Sequence, residues 1–143
     1  MTIQPAGTFA AIGDEAFVAL TTFRKSGAGV PTTVWVARDG DALIVLTPGE
    51  SGKVKRLRHN DAVEMQPCGR RGRVDDDAVT VFGTAEIISE QVEVERLKAV
   101  FREKYGFEFR VTMLIERIFA RRQKPRVILR VTPADSVEGS TVR

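Results

Sequence analysis

Three strand-forming segments follow one another near the N-terminus, and this pattern constrains the fold more than any other feature of the chain. The segments span residues 17–23, 31–38 and 42–47. A polar, glycine-bearing stretch joins the first two, and Asp39-Gly40-Asp41 joins the second to the third. Asp-Gly is among the strongest short hairpin signals. Because connections this short cannot make a parallel crossover, the three segments predict adjacent antiparallel strands.

The remaining sequence predicts three further strands and three helices. The strands lie at 62–68, 79–88 and 126–132, and the helices at 52–58, 90–104 and 110–123. Three helices are too few to cover the sheet edges that six strands would leave open. The pattern therefore predicts a mainly β, α+β domain built as a small antiparallel barrel. A barrel of this size is filled by its own side chains, so a ligand is expected outside it or between subunits.

The last predicted helix carries apolar residues at the spacing of a single stripe. The stripe consists of Val111, Leu114, Ile115, Ile118 and Phe119. Residues at i, i+3, i+4, i+7 and i+8 share one helix face, so this face is predicted to be buried.

Length and composition are those of one ordinary globular domain. The chain has 143 residues, 43% hydrophobic and 29% charged, which argues against disorder, a fibre or a coiled coil. We expect a single domain over residues 1–143, with a core at about 10–132 and a frayed tail at 134–143. One cysteine and one histidine exclude an internal disulfide and a multi-histidine metal site. We therefore expect no metal and a cytoplasmic location. No stretch approaches the eighteen or so apolar residues of a membrane span, so we also expect no membrane partner.

The segment that follows the third strand has the character of a phosphate site. Thr47 ends the strand, Ser51 and Gly52 begin a short helix, and Lys53 and Arg56 lie on one face of that helix. Hydroxyls, backbone N–H groups and the helix dipole there favour an anion. The Walker spacing for a triphosphate is missing, so a terminal monophosphate fits better. The plainer alternative is a strand, a turn and a solvent-facing basic helix.

The order of these elements resembles the pyridoxamine 5'-phosphate oxidase-like split-barrel family. Two segments carry the likeness: Gly29 through Val36, and Thr47 through Arg58. The resemblance covers roughly residues 10–132 and is greatest to the branch that uses flavin mononucleotide (FMN) or the deazaflavin coenzyme F-420. It implies a six-stranded antiparallel split β-barrel of the FMN-binding type, working as a homodimer with the cofactor at the subunit interface.

The resemblance also implies which residues bind the cofactor. Thr47, Ser51, Gly52, Lys53 and Arg56 would hold the phosphate. The ring would lie against Pro31, Thr32, Thr33, Val34 and Trp35, although Val34 and Trp35 have an equally good interpretation as core residues. Gln66 is a further polar contact, contributed to the partner subunit's site, with a solvent-facing strand residue as the alternative.

The chain lacks the C-terminal arginine and histidine signature of the oxidases proper, because its one histidine is His59. Oxidation of vitamin B6 is therefore not expected. The predicted activity is an oxidoreductase that transfers hydride to a small organic substrate, with no catalytic side chain supplied by the protein. The alternatives are a flavin-binding protein for storage or sensing and a nucleic-acid-binding barrel. The second is disfavoured because 42–73 contains no aromatic residue.

Overall fold

A computed structural model describes residues 6–119 and 126–134 of the chain. The helices are α1 (Ala6–Ala11), α2 (Gly52–Leu57), α3 (Gln91–Tyr105) and α4 (Phe107–Phe119), and a 3-10 turn spans Ile12–Asp14. The strands are β1 (Val18–Phe23), β2 (Gly29–Val34), β3 (Ala37–Asp39), β4 (Ala42–Pro48), β5 (Ala62–Pro67), β6 (Val81–Ile88) and β7 (Arg126–Pro133).

The strands form one antiparallel sheet in the order β2-β1-β5-β6-β7-β4-β3. β6 lies at its centre between β5 and β7, and β2 and β3 lie at its two edges. Gly83 shows how tightly the central strands pack, because a Cβ there would lie 2.5 Å from the Val131 side chain and 2.8 Å from the Thr132 carbonyl. The sheet curls into a half-barrel around one of its faces.

Apolar residues fill both sides of this sheet. The inner cluster includes Leu20, Val45, Met65 and Leu129, together with Val54 and Leu57 of α2. The outer cluster sits between β4, β7 and the two long helices, and contains Ile44, Leu46, Val94, Leu97, Phe101, Phe109 and Ile128. β4 is consequently buried on both faces, which explains its nearly continuous apolar sequence.

The number of elements differs from the sequence prediction. Among the described residues there are seven strands and four α-helices instead of six and three. The extra helix is α1, and the extra strand arises because the predicted strand 31–38 is two strands, β2 and β3, at opposite edges of the sheet. The chain leaves the ladder at Trp35 and Val36, where a tyrosine from α3 contacts the backbone instead of a neighbouring strand.

The prediction that the apolar stripe of the last helix is buried is wrong. Leu114 is 54% exposed and Ile115 49%, whereas Phe109 is 3% exposed and packs in the outer cluster. Ile118 and Phe119 lie on the helix backbone, but their surroundings fall outside the description. Residues 120–123 of the predicted helix and 135–143 of the predicted tail also lie outside it. Within 6–119 and 126–134, no helix is long and apolar enough to cross a membrane.

Candidate functional site

A cleft of about 290 Å³ lies where the ends of several elements meet. The end of β2 and the residue after it form one wall, the end of β4 and the first turn of α2 form another, and α4 and the start of β7 close the sides. The lining residues are Thr33, Val34, Trp35, Leu46, Thr47, Pro48, Lys53, Thr112, Met113 and Arg126.

The strand end and the short helix are tied together by hydroxyl groups. Thr47 is 1% exposed, and its Oγ1 lies 3.4 Å from the Oγ of Ser51. Ser51 caps α2 by accepting a bond from the Val54 N–H at 3.4 Å. Val54 and Leu57 are buried in the inner cluster, which fixes the rotation of the helix. Lys53, one residue before Val54, is thereby turned toward the cleft.

The Lys53 ammonium sits in an electropositive and partly dry position. Burial lowers the pKa of Lys53, and the positive charges of Arg56 and Arg126 lower it further. Both of these neighbouring charges are repulsive, so an anion bound here would relieve the repulsion and favour the protonated amine. Such an arrangement can accommodate an anion.

Arg56 lies behind Lys53 instead of lining the cleft. Its Nε donates to Thr22 Oγ1 at 2.6 Å, and Thr22 is fully buried in β1. A Cβ at Gly52 would lie 2.9 Å from the Arg56 guanidinium, so this glycine leaves room for the arginine to fold back across the helix start. Arg56 therefore adds positive charge close to Lys53, while its own side chain is bonded to the barrel.

Trp35 forms an aromatic wall on the opposite side. It is half-buried, and its ring stacks on Tyr105 with centroids 4.4 Å apart and an angle of 12°. Phe109 lies 6.2 Å away in a tilted arrangement. The indole is thus supported from within its own subunit, and its remaining surface faces the cleft.

The other predicted residues lie outside the cleft. Pro31 is exposed on the edge strand, and Thr32 donates to the Leu20 carbonyl at 3.4 Å. Gln66 donates to Thr80 at 2.9 Å. It pairs with Ala19, which also pairs with Thr33, so Gln66 lies two strands, or about 10 Å, from Thr33 on the same face of the sheet.

The structure adds five lining residues that sequence reasoning did not identify: Leu46, Pro48, Thr112, Met113 and Arg126. Arg126 begins β7 and pairs with Pro48, which brings it beside the end of β4. The one sequence signal for it was its place at the start of a strand next to other basic residues. Thr112 and Met113 carried none, because their position depends on how α4 packs.

Comparisons with known proteins agree with this architecture. The model of the pyridoxamine 5'-phosphate oxidase family matches residues 8–137. No curated protein matches the chain. Among solved structures, a conserved hypothetical protein from Mycobacterium tuberculosis is similar with a TM-score of 0.65 and 19% identity, over 94% of this chain and 82% of that one.

Two further structures are similar over most of both chains. An F-420 reductase gives a TM-score of 0.57 with 20% identity, over 88% of this chain and 93% of that one. The heme storage protein of Vibrio cholerae gives 0.63 with 12% identity, over 92% and 91%. At these identities the likeness shows a shared fold, and with the antiparallel half-barrel it confirms the expected split barrel. Because the family model matches nearly the whole sequence, the chain belongs to the pyridoxamine 5'-phosphate oxidase family.

Proposed function

We propose that this protein is an oxidoreductase that binds coenzyme F-420 or FMN in the cleft and transfers hydride between the cofactor and a small organic substrate. The observation that carries the proposal is the pairing of an aromatic wall with a cationic end in one cleft, Trp35 on one side and Lys53 with Arg126 on the other. An aromatic ring system with an anionic tail has the complementary chemistry.

The residues of the cleft suit such a cofactor. The lining combines apolar side chains for a flat ring with threonine hydroxyls for its polar edge and two cations for an anion. Its volume, about 290 Å³, is near the lower end of ligand pockets, which span roughly 300–1,000 Å³. One subunit therefore encloses only part of a cofactor. This supports a homodimer in which the second subunit completes the site and contributes Gln66.

Each group in the cleft has a simple task in this proposal. Lys53, with Arg126 beside it, binds the phosphate, while Ser51 and Thr47 hold the strand and helix that present Lys53. Trp35, Val34 and Met113 orient the ring and exclude water from one face of it. The ring, when bound, supplies the hydride chemistry, and the protein contributes binding and orientation.

Charge around α2 favours F-420 over FMN. Lys55 on α2 and Arg58, the C-cap residue of that helix, are both exposed, and they do not line the cleft. FMN ends in its phosphate, whereas the deazaflavin continues into a chain of glutamates. Two further exposed cations within five residues of Lys53 suit that longer anionic tail.

A ligand titration tests the proposal directly. The purified protein is stripped of small molecules and titrated by calorimetry with F-420, FMN, riboflavin and hemin. F-420 and FMN should bind, and riboflavin, which lacks the phosphate, should bind roughly tenfold to a hundredfold more weakly than FMN because one charge-assisted interaction is lost. Reduced F-420 or FMN is then mixed with quinones and enones to detect oxidation of the cofactor. Equal binding of riboflavin and FMN would refute the phosphate site, and tight binding of hemin alone would refute the proposed cofactors.

A further inference from the structure

The last turn of α3 holds the backbone of Val36, the residue that follows Trp35. Lys104 points its ammonium at three carbonyl oxygens: Gly13 at 2.8 Å, Glu15 at 2.6 Å and Val36 at 2.6 Å. An ammonium carries three donors, so one lysine satisfies all three acceptors. Lys104 thereby ties α3 to the 3-10 turn and to the gap between β2 and β3.

Tyr105 contacts the same backbone residue. The Val36 N–H donates to the Tyr105 hydroxyl at 3.1 Å. The hydroxyl in turn lies within donating distance of two carbonyl oxygens, that of Ala16 at 2.7 Å and that of Val36 at 3.1 Å. Like any tyrosine, Tyr105 is protonated at neutral pH and its hydroxyl can donate, and burial raises its pKa further, to about 12. Val36 is fully buried between two strands, and these side chains replace its missing ladder partners.

The ring of Tyr105 also supports the indole of Trp35 directly. Tyr105 lies between Trp35, at 4.4 Å, and Phe101, at 6.2 Å, with small angles between the ring planes. Neither Tyr105 nor Lys104 lines the cleft. Together they fix the indole from behind, through its own ring and through the backbone of the next residue.

We propose that Lys104 and Tyr105 are positioning residues for the cofactor site: they hold Trp35 in the orientation that receives the ring. This inference rests on the proposed function for its effect on affinity. Its structural half, that the two residues fix the indole, is independent of any ligand. The two halves can be measured separately because Trp35 is the only tryptophan of the chain and its fluorescence reports on one site.

A matched control comes from another anchor of α3. Arg130 on β7 bonds to Asp39 at 2.9 Å and to Glu93 at 3.2 Å, near the start of the helix. These contacts hold α3 on the sheet without touching Trp35 or Val36. Arg130→Gln therefore weakens the attachment of the helix, whereas Tyr105→Phe removes one hydroxyl and keeps the stacked ring.

The experiment compares wild type, Tyr105→Phe, Lys104→Met and Arg130→Gln by three measurements. These are the urea unfolding midpoint, acrylamide quenching of Trp35 in the ligand-free protein, and the affinity for FMN and F-420 by calorimetry. Tyr105→Phe and Lys104→Met should each increase the quenching of Trp35 and weaken cofactor binding about fivefold, because binding must then order an indole that the wild type already holds in place. Arg130→Gln should lower the midpoint and leave quenching and affinity unchanged.

The outcomes separate the inference from the proposed function. If quenching is unchanged in Tyr105→Phe and Lys104→Met, the positioning role is refuted. The positioning role is also refuted if Arg130→Gln loses as much affinity per unit of lost stability as Tyr105→Phe and Lys104→Met do. In that case the loss of affinity follows from general destabilisation of the protein. If quenching rises as expected but wild type binds neither cofactor, the positioning of Trp35 stands and the proposed function fails.

Discussion

Replacing Lys53 should change cofactor affinity and protein stability in opposite directions. In the ligand-free protein the ammonium is partly buried beside Arg56 and Arg126, and its pKa is lowered by burial and by both positive charges. Lys53→Met removes this unfavourable charge and keeps a side chain of similar helix propensity. The free protein should therefore become more stable, by a few tenths of a kcal/mol to about 1 kcal/mol, because solvent still screens part of the repulsion.

Cofactor binding should respond the other way and by more. A charge-assisted hydrogen bond to a phosphate contributes about 1.5–3 kcal/mol. Loss of Lys53 should therefore weaken F-420 and FMN binding roughly tenfold to a hundredfold. Such a trade-off between stability and binding is expected where a site gathers like charges for a ligand.

Lys55→Met is the matched control, because Lys55 is exposed on the same helix and its replacement removes the same charge. Affinity is measured by calorimetry with FMN at 0.1 M salt, and stability by urea unfolding without ligand. Lys55→Met should leave both nearly unchanged. Equal losses of affinity in the two variants would mean that only net charge matters. A destabilised Lys53→Met with normal affinity would mean that the residue is structural, and either result refutes the reasoning.

Four further predictions concern pH, salt and assembly. FMN affinity should fall as pH rises through the lowered pKa of Lys53, which lies below 10.5, because the amine then loses its charge. This fall should be absent in Lys53→Met. The same dependence of affinity on pH in both proteins would contradict the prediction. Long-tailed F-420 should lose affinity with salt more steeply than FMN, and replacing Lys55 and Arg58 with Gln should remove the difference; tail-independent binding at low salt would favour FMN instead. Light scattering should show a homodimer, and a monomer at micromolar concentration that still binds cofactor would contradict the shared site. The hydrogen bond from Arg96 lowers the pKa of Glu93, so the ionised carboxylate stabilises the fold above pH 4.5, and this stabilisation is lost as the pH falls through the lowered pKa. The difference in urea midpoint between wild type and Glu93→Gln should therefore disappear in acid. A difference that stays constant with pH would be inconsistent with this titration.

Local sequence signals were sufficient for one part of the cationic half of the cleft, the segment from Thr47 to Lys53, whereas Arg126 reaches it through the pairing of β7 with β4. The strand that ends at Pro48, the serine cap of α2 and the direction of Lys53 all depend on residues close together in the chain. Hydrophobic periodicity and capping operate over this range, so they predict such a segment well.

The aromatic half depended on contacts that no local pattern reveals. Residues 32–36 are all strand formers, so no local signal marks a break there. The break at Trp35 and Val36 is stabilised by Tyr105, which is 69 positions after Val36. The same limit explains the error in α4. Its apolar residues cover more than one face, and the packing of Phe109 beneath Trp35 selects the buried one. Tertiary packing therefore determined both outcomes.

The order of the strands also governs when the cleft forms during folding. Thr47 pairs with Val127, about 80 residues later, so β4 stays an open edge until the last described strand arrives. Pairing across such long separations is slow, because loop closure comes before the contacts that reward it. Arg126 belongs to that last strand, and a chain still emerging from the ribosome lacks this wall. Cofactor capture should consequently come after folding is complete, so that the ligand stabilises finished molecules and leaves partly made ones unaffected.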